Sequence, residues 1–183
     1  TRVQAAERAA TVAGEVGVPA LPAAEVIARA DAVIVATPTA FHHGLAWQAL
    51  EAGRHVLVEK PLEVSTAKCR EILDVAKGSP AKLMVAYRLH FEPATLATID
   101  LIRSGKLGDL LTFASTFTQM VSPENHRASS GIEAGPIFDM GPYPVNAARY
   151  VFGSEPTEVV SAVGVRHPEQ QGQFRAEGNL GEC

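Results

Sequence analysis

The sequence predicts an α/β fold with a doubly wound parallel sheet. Three short apolar runs, AVIVA at 32–36, HVLV at 55–58 and LMVAY at 83–87, are rich in valine and too short for helices, the pattern of strands buried on both faces. Between them lie segments of ten or more residues with a helical period, and most of these stop at a glycine. Strands alternating with helices of that length form β-α-β units, whose crossover connections build parallel sheets.

Taken in order, residues 5–16 follow a helical period that stops at Gly17. The first strand, 32–36, leads to a helix over 41–52 that ends at Gly53, and the second strand, 55–58, runs into Glu59-Lys60-Pro61. Ser65 is placed to cap a helix reaching about Lys77. The third strand, 83–87, is followed by a helix over 93–104 with proline in its first turn and Gly105 at its end. Beyond Gly108 the pattern changes. Residues 110–120 (LLTFASTFTQM) alternate in part and predict a strand with one more polar face. A loop is expected over 121–135, a helix over 143–152 closed by Gly153, a strand over 159–165 and a polar, loop-like or disordered tail from 168 to 183. A domain boundary falls near Leu107, giving units at 1–107 and 108–183.

The 183 residues are 46% hydrophobic and 20% charged, the balance of an ordinary globular protein. No apolar run approaches the ~20 residues needed to cross a bilayer, and no charged-then-apolar leader opens the chain, so no membrane association and a cytoplasmic location are expected. Cys69 and Cys183 have no metal-ligand spacing and are expected to be free thiols; no metal site is expected. The net charge of −4, with lysines and arginines dispersed, argues against a nucleic-acid partner and for small-molecule chemistry.

In an open parallel sheet, ligands bind beyond the carboxyl ends of the strands. The residues in those places are polar: Thr37-Pro38-Thr39 and then His42 after the first strand, Glu59-Lys60-Pro61 after the second, Arg88-Leu89-His90 after the third. Any one is an ordinary turn or a solvated charge; three on one rim point to a site. Pro61 restricts Lys60 to extended geometry and permits a cis peptide, so the lysine can be aimed across the sheet edge. An ammonium held there can hydrogen-bond a substrate hydroxyl and favour its alkoxide as hydride leaves the same carbon.

A second concentration is GPIFDMGPYPVN at 135–146. Pro142 and Pro144 belong before a helix or in its first turn, which puts Tyr143 at a helix entrance. Asp139 either caps that helix or accepts hydrogen bonds from a polyol while Tyr143 moves a proton.

Together, the segments ATPTAFHHGLAWQALEAGRHVLVEKPL (36–62), KLMVAYRLHFEP (82–93), IRSGKLGDL (102–110) and AGPIFDMGPYPVNAARYVFG (134–153) resemble the glucose–fructose oxidoreductase, inositol dehydrogenase and rhizopine-catabolism (Gfo/Idh/MocA) family over roughly 5–165. The resemblance implies a Rossmann-like parallel sheet followed by an α/β domain with a large open sheet, NAD or NADP as hydride carrier, sugars or polyols as substrates, and a homo-oligomer. Lys60 looks like the family's lysine beside nicotinamide and substrate, and Asp139 like the acid of its Asp-x-x-x-His pattern. Tyr143 stands at the histidine position, as in the glucose–fructose oxidoreductase branch, and Asn146 suits that branch as a substrate contact. Thr37, Pro38, His42, Glu59 and Arg88 fall where such proteins line the cofactor.

The first strand and its G-x-G-x-x-G turn, which hold the pyrophosphate, are not in the sequence, and only the start of the second domain's sheet is encoded. The expectation is therefore part of a longer enzyme. A sugar or polyol dehydrogenase or reductase is the leading reading; a fragment that binds or scaffolds without catalysis, and a hydrolase or lyase that uses its nicotinamide transiently, are the alternatives.

Overall fold

The computed structural model describes residues 2–118, 120, 122 and 136–163. Helices α1 (Arg2–Val16) and α2 (Ala23–Arg29) lead to β1 (Ala32–Val35), α3 (His42–Glu51), β2 (His55–Val58), α4 (Thr66–Gly78), β3 (Leu83–Val85) and α5 (Pro93–Arg103). Single 3-10 turns precede α3 (Thr39–Phe41) and α5 (Arg88–Phe91). The short α6 (Pro136–Asp139) and the longer α7 (Pro142–Phe152) follow.

The three strands pair in parallel in the order β1-β2-β3, in a register that aligns Val35 with Val58 and Val58 with Val85. All three therefore deliver their carboxyl ends to one rim. Val35, Val56 and Val58 are buried against Ala46, Ala49 and Leu50 of α3 and Ile72 of α4. Burying side chains of the size of Leu50 and Ile72 contributes about 1.5–3 kcal/mol each, and this layer is what fixes the rim.

Three expectations change. The strands were expected to be covered on both faces, but Ile34 is 71% and Met84 44% exposed, because α3 and α4 pack on the opposite side, where Val33, Val35, Val56, Val58 and Leu83 point. Residues 110–118 form no strand, nor do 159–163, where Val160 is 89% and Val163 84% exposed. A strand exists only as half of a hydrogen-bonded pair, and no described residue supplies the other half. The third strand stops at Val85 rather than Tyr87, because the Tyr87 N–H turns back to the Val85 carbonyl at 2.8 Å. The expected loop over 121–135, apart from Ser122, and the tail from 168 lie outside the described residues.

Helix ends follow local chemistry. Ser65 caps α4, its Oγ accepting from the Lys68 N–H at 3.5 Å. Glu92 caps α5, accepting from the Thr95 N–H at 2.9 Å and the Thr95 hydroxyl at 3.2 Å. Those backbone N–H groups, Thr95 first and then Ala94, hold the Glu92 carboxyl below the usual carboxylate range. Stability from Glu92 is then present at neutral pH and disappears as pH falls from the ordinary carboxylate value through the lowered one. Denaturant titrations of wild type and Glu92→Gln should differ near neutrality and converge in acid; a gap that persists unchanged in acid would contradict this.

Among the described residues, no helix is long and apolar enough to cross a membrane.

Candidate active site

The strand tips carry the site. Beyond β2, Glu59 closes the last ladder bond, its N–H donating to the Val35 carbonyl at 2.9 Å. Lys60 then enters a cis peptide bond with Pro61. Its ammonium reaches residues far along the chain, donating to Asp139 Oδ1 at 2.6 Å and to the Asp139 carbonyl at 2.7 Å. The pair is mostly sequestered, with 13% of the Lys60 and 16% of the Asp139 side chain exposed. The same ammonium stands 5.3 Å from the centre of the Tyr143 ring, within cation–π range.

Asp139 is the last residue of α6, and Tyr143 the second of α7. Pro142 and Pro144 fall in the first turn of α7, where a missing N–H costs nothing. The capping role considered for Asp139 is not found: Gly141 occupies the cap position, without a side-chain hydrogen bond. What joins the two helices is a close backbone approach, the Gly141 N–H donating to the Ile137 carbonyl at 3.0 Å. A Cβ on Gly141 would sit 2.3 Å from the Ile137 carbonyl oxygen, so glycine alone lets α7 begin so close to α6.

The other predicted residues divide into three groups. Thr37, Pro38, Glu59 and Arg88 are exposed around the rim. Asn146 is part-buried with its amide nitrogen 2.5 Å from His90 Nε2. His42 is buried, 1% exposed, with Nε2 2.8 Å from the Thr37 carbonyl oxygen and Nδ1 3.0 Å from that of Pro61.

Several residues at the site were not assigned a role from sequence. Phe117 stacks on Tyr143 at 5.9 Å between ring centroids and 10° between planes. His90 packs on Tyr150 at 4.0 Å and edge-on to Tyr87 at 6.3 Å. Burial, followed by the nearby Cys69, pushes the Tyr87 hydroxyl up, and burial with the Glu63 carboxylate does the same to the Cys69 thiol. Glu63 is 5% exposed, with Oε1 accepting from the Val64 N–H at 2.8 Å. The signal for His90 was present, since it follows β3 as Lys60 follows β2. For Phe117 it lay in the aromatic content of a segment read as a strand.

Chemically, the arrangement offers a fixed ammonium, a carboxylate and a phenol on one side of a rim where parallel strands end, the place where open α/β sheets take their ligands.

Known proteins share this fold. Residues 3–87 match the profile described as "Oxidoreductase family, NAD-binding Rossmann fold", and residues 95–180 match the Gfo/Idh/MocA C-terminal domain. The D-xylose 1-dehydrogenase [NADP(+)] of Haloarcula marismortui is 30% identical over 157 residues, covering 79% of this chain and 44% of that protein. The crystal structure of aldose-aldose oxidoreductase from Caulobacter crescentus complexed with glycerol superposes with a TM-score of 0.68 at 29% identity, over 82% of this chain and 48% of that one. Levoglucosan dehydrogenase in complex with NADH and levoglucosan gives 0.69 at 27% identity, over 80% and 43%. The two profiles correspond to the Rossmann-fold part and the C-terminal part of one oxidoreductase family. The chain belongs to the Gfo/Idh/MocA family, and it spans less than half the length of these relatives.

Proposed function

We propose that the protein acts as an NAD- or NADP-dependent dehydrogenase or reductase on a sugar or polyol, with residues 1–107 on the cofactor side and 108–183 on the substrate side. The observation that carries this reading is the meeting of Lys60 with Asp139 and Tyr143 at the strand-tip rim, across 79 positions of chain in the case of Asp139. The sugar substrates in the names of the relatives support the substrate class.

The residues present fit the nicotinamide end of a dinucleotide, since Thr37, Pro38, Glu59 and Arg88 edge the rim without being buried in it. A nicotinamide bound there supplies a hydride acceptor for a carbinol carbon. The chain's own side chains do the rest. An ammonium has three N–H donors, and Asp139 takes two of those of Lys60, leaving one for the substrate hydroxyl. Asp139 orients neighbouring hydroxyls of the polyol, and Tyr143 is the proton partner of the reacting oxygen, taking up the hydroxyl proton in oxidation and returning it in reduction. The cluster's low exposure favours these charge interactions by excluding water.

The test is turnover of the full-length gene product, followed by nicotinamide absorbance with NAD or NADP against a panel of aldoses and polyols. Cofactor-dependent oxidation of at least one of them is expected. Tight nicotinamide binding with no turnover on any sugar or polyol would reject the substrate class, and no NADH or NADPH binding at all would reject the enzyme.

A further inference from the structure

His42 is the first residue of α3 and is 1% exposed. Its two ring nitrogens face two main-chain carbonyls from neighbouring strand tips: Thr37, two residues beyond β1, and Pro61, immediately after Lys60. The β1–β2 ladder has ended by then, its last bond running from Glu59 to Val35, so those carbonyls have no ladder partners. Imidazole is suited to such a place, because its two nitrogens lie on opposite sides of a rigid ring. A ring with one N–H donates to one carbonyl and meets the other with a bare nitrogen; a ring with both protons donates to both. In either state no ring nitrogen is left to contact a ligand.

The adjacent histidine shows the contrast. His43 turns outward, pairing through Nε2 with Glu71 at 2.8 Å on the surface between α3 and α4.

We propose that His42 is a positioning residue: it braces the β1 and β2 tips against each other, fixes Lys60 through the Pro61 carbonyl, and makes no contact with the nicotinamide. The inference rests on the function proposed for Lys60 and replaces the cofactor-lining role that the family resemblance gave to His42. Its consequence is mechanical. Lys60 must hold two oxygens of Asp139 at once, and a shift of the tip by a fraction of an ångström spoils that geometry.

The test uses His42→Leu, which fills the space without polar atoms, and His42→Asn, whose amide nitrogen takes the place of Nδ1. The first readout is the rate at which the Lys60 ammonium reacts with an amine-labelling reagent, relative to the exposed Lys68, Lys82 and Lys106, measured by peptide mass spectrometry. Lys60 should label slowly in wild type, severalfold faster in His42→Leu, and at an intermediate rate in His42→Asn. The second is kinetic. In the full-length gene product, His42→Asn should lower kcat on the order of tenfold while the NADH or NADPH dissociation constant stays within a factor of about two.

Unchanged Lys60 labelling in the Asn variant would overturn the proposal, as would a weakened cofactor affinity with kcat preserved. If the Leu variant does not fold, the Asn variant decides alone. The labelling needs no turnover, so a protein without dehydrogenase activity but with the predicted labelling pattern would sink the proposed function and leave the brace standing.

Discussion

Replacing Lys60 with alanine should lower turnover of the full-length gene product by roughly a hundredfold or more, the range that a positioned proton-handling or charge-stabilising group supplies. The alanine withdraws both hydrogen bonds to Asp139 and the cation beside Tyr143. Electrostatic stabilisation of a developing alkoxide and alignment of two neighbouring side chains are therefore lost together. Lys60→Arg should recover little. A guanidinium keeps the charge but presents its donors in a rigid planar fork, whereas the lysine places separate N–H groups on a carboxylate oxygen and a carbonyl oxygen of one residue. Thermal unfolding measured beside the kinetics separates chemistry from folding: the core of Leu50, Val58 and Ile72 does not involve Lys60, so the variants should remain folded. Near-normal turnover in Lys60→Ala would remove the lysine from the mechanism.

Much of this site was legible because its parts are dictated locally. A valine-rich run between a glycine-ended helix and Glu-Lys-Pro can hardly be other than a strand that ends at a turn, and β2 is found at His55–Val58 as expected. Proline chemistry placed Tyr143 in the first turn of α7 for the same kind of reason. What sequence does not carry is pairing. Residues 110–118 have the composition of a strand but meet no partner strand among the described residues, and their aromatic Phe117 is used against Tyr143 instead. Helix α2, seven residues long, is too short for a periodic signal, yet it sends Ile27 into the core. His42 and His43 are indistinguishable in the string FHHG. The geometry of one turn buries the first under two carbonyls and leaves the second on the surface.

Two glycines of one helix provide a sharper trial of how the site is built. Gly141 precedes α7 with φ −56 and ψ −35, a right-handed conformation that proline at the next position disfavours for a residue with a Cβ but does not forbid, so its φ alone does not demand glycine. Its reason is space: a Cβ would lie 2.3 Å from the Ile137 carbonyl oxygen, against backbone that has no rotamer to change. Gly153, at the other end, is the reverse case, with φ 63 and nothing within 4 Å of a Cβ. Gly141→Ala should cost about 1–3 kcal/mol, as overpacking does, and most of the relief must come from α6 moving off α7. That motion separates Asp139 from Tyr143, the two residues that flank the Lys60 ammonium, so turnover should fall by roughly tenfold to a hundredfold. Gly153→Ala should cost a comparable ~1 kcal/mol for its left-handed backbone yet leave kcat unchanged, because Tyr143 and Asn146 sit toward the other end of the helix. Equal stability loss with unequal kinetics is the expected signature. If both variants lose activity in proportion to stability, the close approach of α6 and α7 is merely architectural, and the chemistry does not depend on it.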